Sequence, residues 1–162
     1  FPGVVVNGVT VTAPNLHESW ANYQLAKEIE AYTGKPVRVL NDAGVQGYGL
    51  IEGKGVEMVL TFGTGMGCAL YIDGTYVPNL ELAHHPFGNK DRETYEEYIC
   101  NDALEAIGKK KWNKRVRKVI AQITPIWNPR RIYIGGGNAK HLKGDLPEHV
   151  VLGSNVAGST SQ

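Results

Sequence analysis

Three short segments carry residue types that could do chemistry. Leu60-Thr61-Phe62-Gly63-Thr64-Gly65-Met66-Gly67 places three glycines and two threonines in a tight turn between apolar runs. Such a turn can aim several backbone N–H groups at one anion, with threonine hydroxyls as uncharged donors, so it reads as a phosphate cradle. The same glycines also suit a plain hairpin bend, because a lone glycine pattern is a weak signal. Asn41-Asp42 follows the run Val37-Arg38-Val39-Leu40. An aspartate at the carboxyl end of a strand in an α/β sheet stands where ligands bind and could take a proton from a hydroxyl. The competing reading is a helix cap. Glu81-Leu82-Ala83-His84 sets a carboxylate and an imidazole three residues apart, able to accept from and donate to neighbouring sugar hydroxyls. On its own such a pair is more often surface decoration. His85 invites a metal, but adjacent histidines rarely share one ion and no third ligand is evident, so no metal site is expected.

The elements that must hold these groups follow from pattern. Asn7-Gly8 between Val4-Val5-Val6 and Val9-Thr10-Val11 predicts an opening β-hairpin, since a type I′ turn needs positive φ at both central residues. Apolar residues at helical spacing predict a helix over 20–32, ended by Gly34. A short strand over 37–40 and a helix from 41 to about 51 come next. Residues 56–62 read as a buried strand, and 68–72 with 75–77 as a second hairpin around Asp73-Gly74. Two helices, 94–107 and 112–127, are separated by Gly108, and Arg131-Ile132-Tyr133-Ile134 is the last clear strand, leading into Gly135-Gly136-Gly137 and a short helix. The small polar residues from Asn155 suit at most a frayed helix. The glycine-rich junction at 52–55 divides the chain into 1–54, the remainder of a small first lobe, and 55–162, a large second lobe.

Composition sets the outer limits. With 162 residues, 42% hydrophobic and 20% charged, the chain can bury one substantial core or two small ones and reads as soluble and globular. No apolar run approaches the roughly 18 residues of a membrane span and no basic leader opens the chain, so a cytoplasmic address is expected. Cys68 and Cys100 are isolated, which argues for buried reduced thiols over a disulfide framework or cysteine zinc site. A net charge of +1 gives no global pull toward nucleic acid or membrane, and neither is an expected partner.

In this order, and followed by Ile132 to Gly137, the three segments resemble the ROK family of sugar kinases over nearly the whole chain, and most of all its polyphosphate-dependent glucokinase branch. The cysteine-free stretch from Pro86 to Glu93 is similar to that branch and lacks the zinc motif of many relatives, so no zinc is expected. The opening Phe1-Pro2-Gly3 and the segment from Asn15 to Trp20 look like the family's Pro-Gly turn and sugar-side loop. The resemblance implies an α/β, actin-like ATPase (ribonuclease H-like) fold of two lobes, the first incomplete. It implies Asp42 as catalytic base, with Asn41, Glu81, His84 and, more loosely aligned, Glu93 on the sugar. Thr61, Gly63, Thr64, Gly65 and Gly67 would face phosphate, and Gly135, Gly136 and Gly137 a nucleotide. The implied reaction is transfer of a phosphoryl group from polyphosphate or ATP, accompanied by Mg²⁺, to the 6-hydroxyl of glucose or a close hexose. A non-catalytic sugar-binding or regulatory module is the alternative, because the family includes sugar-responsive repressors.

Two departures from the family pattern matter. Ala83 stands where a glycine is usual, which disfavours positive φ there and would shift His84. Nothing resembling the family's Asp-x-Gly-Gly-Thr segment precedes Phe1, so the chain is expected to be a fragment or truncated product with little or no kinase activity. Open sheet edges in such a lobe point to a second copy as partner, a homodimer. Finally, seven cations lie between Lys109 and Lys118. They suit either a polyanion such as polyphosphate or the solvated face of a helix whose apolar side is Trp112, Val116, Val119, Ile120 and Ile123.

Overall fold

A computed structural model describes residues 1–13, 16–88 and 93–153. Asn15, the stretch 89–92 and the tail from Asn155, all read above from sequence, lie outside the described residues. The opening hairpin is present: β1 (Val5–Val6) pairs antiparallel with β2 (Val9–Thr10). Asn7 and Gly8 take φ of 51° and 78°, as a primed turn requires. The first long helix, α1 (Leu25–Thr33), starts later than the apolar spacing suggests. Asn22 has φ 59° and donates its N–H to Thr10 O, while Thr10 N–H donates to Tyr23 O, so the chain is bonded to the hairpin before it can coil. Gly34 ends α1 in the left-handed region, φ 66°. The expected strand over 37–40 does not form; that stretch runs beside the start of the chain, with the Phe1 nitrogen donating to Leu40 O at 3.0 Å.

The second part is built on a five-stranded sheet in the order β5-β4-β3-β6-β7. Strands β3 (Val56–Phe62), β4 (Met66–Ile72) and β5 (Thr75–Val77) run antiparallel, whereas β6 (Arg131–Gly135) and β7 (Val150–Leu152) add in parallel. Alternation along β3 sends Met58, Leu60 and Phe62 to one face and Val59 to the other, and both faces are covered. On the first face lie α3 (Tyr95–Ile99) and α4 (Asn101–Trp127), which bury Trp112, Val116, Val119, Ile120 and Ile123 against the sheet. Gly108, at φ 75° and ψ 159°, breaks α4 into two helical stretches, the second beginning at Lys109, before the expected Trp112. Trp112 pins that corner, its Nε1 donating to Ile99 O at 2.8 Å.

On the other face sits α2 (Asp42–Gly47), whose Ala43 joins a cluster with Val59, Ala69, Tyr71 and Tyr133. A division at residue 54 assigns α2 to the first segment, yet it packs on the sheet of the second. Contact is close because Gly44 and Gly47 lie directly over tyrosines: a side chain at Gly44 would come within 2.7 Å of the Tyr76 ring, and Tyr71 Oη donates to Gly44 O at 2.5 Å. Cys68 is buried and Cys100 half-buried, both free thiols. Among the described residues no helix is long and apolar enough to cross a membrane.

Candidate active site

One end of the sheet opens into a cleft of about 450 Å³. Three separate stretches of chain supply most of its polar walls.

The first is the start of α2. Asn41 is its N-cap, in extended backbone, and its side-chain oxygen accepts the Ala43 N–H at 3.0 Å, while its amide donates to Gly3 O at 3.3 Å. Asp42 Oδ1 accepts from the same Ala43 N–H at 2.8 Å. Oδ2 has no protein partner among the described residues, and the carboxylate is exposed to the cleft. Capping and facing the cleft are therefore compatible roles, divided between two adjacent residues.

The second is the turn joining β3 to β4. Gly63 N–H donates to Gly65 O at 3.0 Å, and Gly63 O accepts from Asn101 N–H at 3.0 Å and from Asn138 Nδ2 at 3.3 Å. The N–H groups of Thr64 and Gly65 meet no acceptor among the described residues, as an anion cradle requires. The loop after β6 clamps this turn. Asn138 N–H donates to Phe62 O at 2.9 Å. Gly136, at φ 83°, lies so close that a Cβ there would stand 2.6 Å from Phe62 N.

The third is the turn Leu82–His84. His84 Nδ1 lies 3.5 Å from Glu81 Oε2, which orients the ring and leaves Nε2 outward. Ala83 occupies a 3₁₀ turn and is absent from the positive-φ residues, so alanine fits without displacing the histidine; its methyl is buried.

Of the residues singled out from sequence, Asn41, Asp42, Glu81 and His84 share this cleft with Thr61, Gly63, Thr64, Gly65 and Gly67, and Gly136 joins them. Gly135 and Gly137 flank the rim without lining it; Gly135 is the last residue of β6, paired with Thr61. Glu93 is not on the cleft. Its carboxylate lies 3.7 Å from Arg115, whose guanidinium sits over the Tyr98 ring at 4.3 Å. The acid that α3 does deliver is Glu96, whose Oε2 accepts the Met66 N–H at 2.9 Å beside Gly65. Sequence reasoning missed it, although Thr94 and Glu97 form a capping box that marks the helix start and so puts Glu96 in the first turn. Cys68 and Tyr76 were also missed. Burial, reinforced by the charge of Glu81, pushes the Cys68 thiol up to about 12, so it stays protonated behind the cleft. Burial and then Glu81 likewise raise Tyr76.

No family model matches the chain. It is 36% identical over 151 residues to a polyphosphate glucokinase of Mycobacterium tuberculosis (strain CDC 1551 / Oshkosh), covering 85% of this chain and 54% of that protein. It is 33% identical over 156 residues to a polyphosphate glucokinase of Mycobacterium leprae (strain TN), covering 91% and 47%. The chain thus spans about half the length of these relatives. Among solved structures, an inorganic polyphosphate/ATP-glucomannokinase from Arthrobacter sp. strain KM superimposes with TM-score 0.72 at 29% identity, over 94% of this chain and 64% of that one. A ROK-family glucokinase from Streptomyces griseus, solved with glucose and AMPPNP, gives TM-score 0.72 over 93% and 73%, a likeness of fold alone at 17% identity. The mixed sheet and its helices are those of the actin-like ATPase fold.

Proposed function

We propose, for a chain that resembles the ROK-family sugar kinases in sequence and in fold, that the cleft binds a hexose and presents its 6-hydroxyl to a phosphoryl donor. The supporting observation is the meeting of a free carboxylate oxygen, an acid–imidazole pair and an anion-binding turn on one cleft. In this reading Glu81, His84 and Glu96 accept from and donate to sugar hydroxyls, and Asn41 contributes its remaining amide hydrogen. Asp42 takes the proton of the attacking hydroxyl through Oδ2. The new O–P bond forms as the bond from phosphorus to the donor's bridging oxygen breaks, that oxygen keeping the electron pair. The free N–H groups of Thr64 and Gly65 meet the charge on the transferred group, since such transfer is mostly positioning and charge stabilisation. Mg²⁺ would enter on the donor's phosphates, because it retains several waters and needs few protein carboxylates.

Glucose, with ATP or polyphosphate as donor, is the substrate pair this reading favours. Calorimetry should give saturable glucose binding to the chain, weakened about tenfold or more by His84→Ala or Glu81→Ala, each of which removes a bond to an uncharged hydroxyl. Absence of glucose binding would overturn the reading. In the whole protein, Asp42→Asn should keep glucose affinity while glucose 6-phosphate formation falls roughly 10²–10⁴-fold. Near-normal turnover in that variant removes Asp42 as the base. Glucose binding by the unaltered whole protein without any transfer favours a sugar-binding module instead.

A further inference from the structure

The turn between β3 and β4 has glycine at 63 and 65, so its peptide units can rotate at little cost. An anion site works best when its N–H groups already face the place where charge will sit. A trans peptide is planar, with its C=O and N–H pointing in opposite directions, so whatever fixes the Gly63 carbonyl also fixes the Thr64 N–H. Two donors hold that carbonyl, Asn101 N–H at 3.0 Å and Asn138 Nδ2 at 3.3 Å. Gly63, Thr64 and Gly65 line the cleft, whereas Asn101 and Asn138 stand behind them and do not. The carbonyl is thus drawn away from the cleft and the Thr64 N–H is turned into it.

The two donors are of different kinds. Asn101 opens α4, and its N–H is one of the first-turn donors that a helix cannot satisfy internally, so nearly any residue there would supply it. Asn138 gives its bond from a side chain. It stands before the turn Ala139–His141 without capping it, and is only 8% exposed. A neighbour sets its orientation: Asn101 Nδ2 donates to Glu105 Oε1 at 2.7 Å, which leaves Asn101 Oδ1 to accept from Asn138 Nδ2 at 3.4 Å and keeps that nitrogen toward Gly63 O. With its own N–H bonded to Phe62 O, Asn138 grips the last carbonyl of β3 and the first of the turn. At the far end Glu96 holds the Met66 N–H, so the idle amides of Thr64 and Gly65 lie between two fastened peptides.

We propose that Asn138 is a positioning residue for the anion turn, its amide fixing the Gly63–Thr64 peptide so that the Thr64 N–H meets an incoming phosphoryl group already aimed. This rests on the sugar-kinase reading and adds a residue to the phosphate side of its site. A comparison for a purely structural role lies close by. Asn113 is also 8% exposed and also ties the chain after β6 to α4, bonding Lys109 O, His141 O and the Lys143 N–H, yet it touches no part of the turn.

The test uses inorganic tripolyphosphate as the anion and glucose as the sugar, titrated separately into the unaltered chain, Asn138→Leu, Asn138→Ala and Asn113→Ala. Leucine fills the site without a donor, and alanine removes the donor without bulk, so either one carries the comparison if the other does not fold. Both Asn138 variants should bind tripolyphosphate about threefold to tenfold more weakly, the worth of one hydrogen bond, with glucose affinity within about twofold. In ¹⁵N spectra the shift of the Thr64 amide on adding the anion should shrink in the same variants. Asn113→Ala should lower the urea midpoint and leave both affinities as they were. Unchanged anion affinity in the Asn138 variants, an equal loss of glucose affinity, or a matching anion loss in Asn113→Ala overturns the positioning role alone. If the unaltered chain binds no glucose or no tripolyphosphate, the sugar-kinase reading fails and the role of Asn138 falls with it.

Discussion

Glu57 is fully buried, yet its carboxylate accepts from the backbone N–H groups of Glu52, Gly53 and Lys54 and from Tyr133 Oη at 2.8 Å. Burial, the largest influence, pushes its pKa up, but these donors together outweigh it and hold the group below the ordinary value of 4.5. Because the folded pKa lies below the unfolded one, the unfolded chain binds more protons as pH falls. The stabilisation is therefore complete above the unfolded value and disappears as pH drops through the folded one. Urea unfolding should show stability falling as pH drops below the ordinary carboxylate value, with a smaller fall in Glu57→Gln, which should also cost about 2–4 kcal/mol at pH 7. Gly136→Ala should cost more than about 1 kcal/mol, because it combines positive φ with a collision against Phe62. Tryptophan emission in urea would measure it. At this scale the sequence was informative where spacing itself sets geometry, as with Glu81 and His84, whose three-residue separation brings carboxylate and imidazole within 3.5 Å on the cleft. It was silent on Glu57 and Glu96, since Glu96 meets Met66 across 30 positions and nothing local announces that contact.

Helix ends were readable where a residue decides them alone. Gly34 and the Asn7-Gly8 turn stand where expected because only positive φ fits there. The start of α1 was not readable, since Thr10 ties up residues 20–23 by hydrogen bonds that no periodicity contains. Nor was β7, three residues whose strand character exists only through pairing with Ile132 to Ile134. Gly108 gives the cleanest test of a local cause. Space around its missing Cβ is open, so Gly108→Ala introduces strain without a clash, and it should destabilise by about 1–3 kcal/mol as read by urea midpoint. A cost well below that range would mean the break in α4 does not depend on glycine.

Across the molecule, one sheet with both faces covered carries the two cores, and a buried strand there followed from the mostly apolar run of β3, broken only by Glu57 and Thr61. Trp112 is central to the larger core, edge-on to Phe62 with ring centroids 5.9 Å apart, and Trp112→Ala should cost about 3–5 kcal/mol in chemical denaturation. The division of the chain was less legible, because α2 precedes the glycine-rich junction yet packs beyond it. That seating, glycines laid on tyrosines, has a mechanical corollary. The residue bearing the free carboxylate and the turn with two idle amides are bolted to the same plate, so motion of any neighbouring part leaves the gap between them unaltered. Under the proposed reading, the gap across which a phosphoryl group passes is fixed by packing on one sheet as the chain folds.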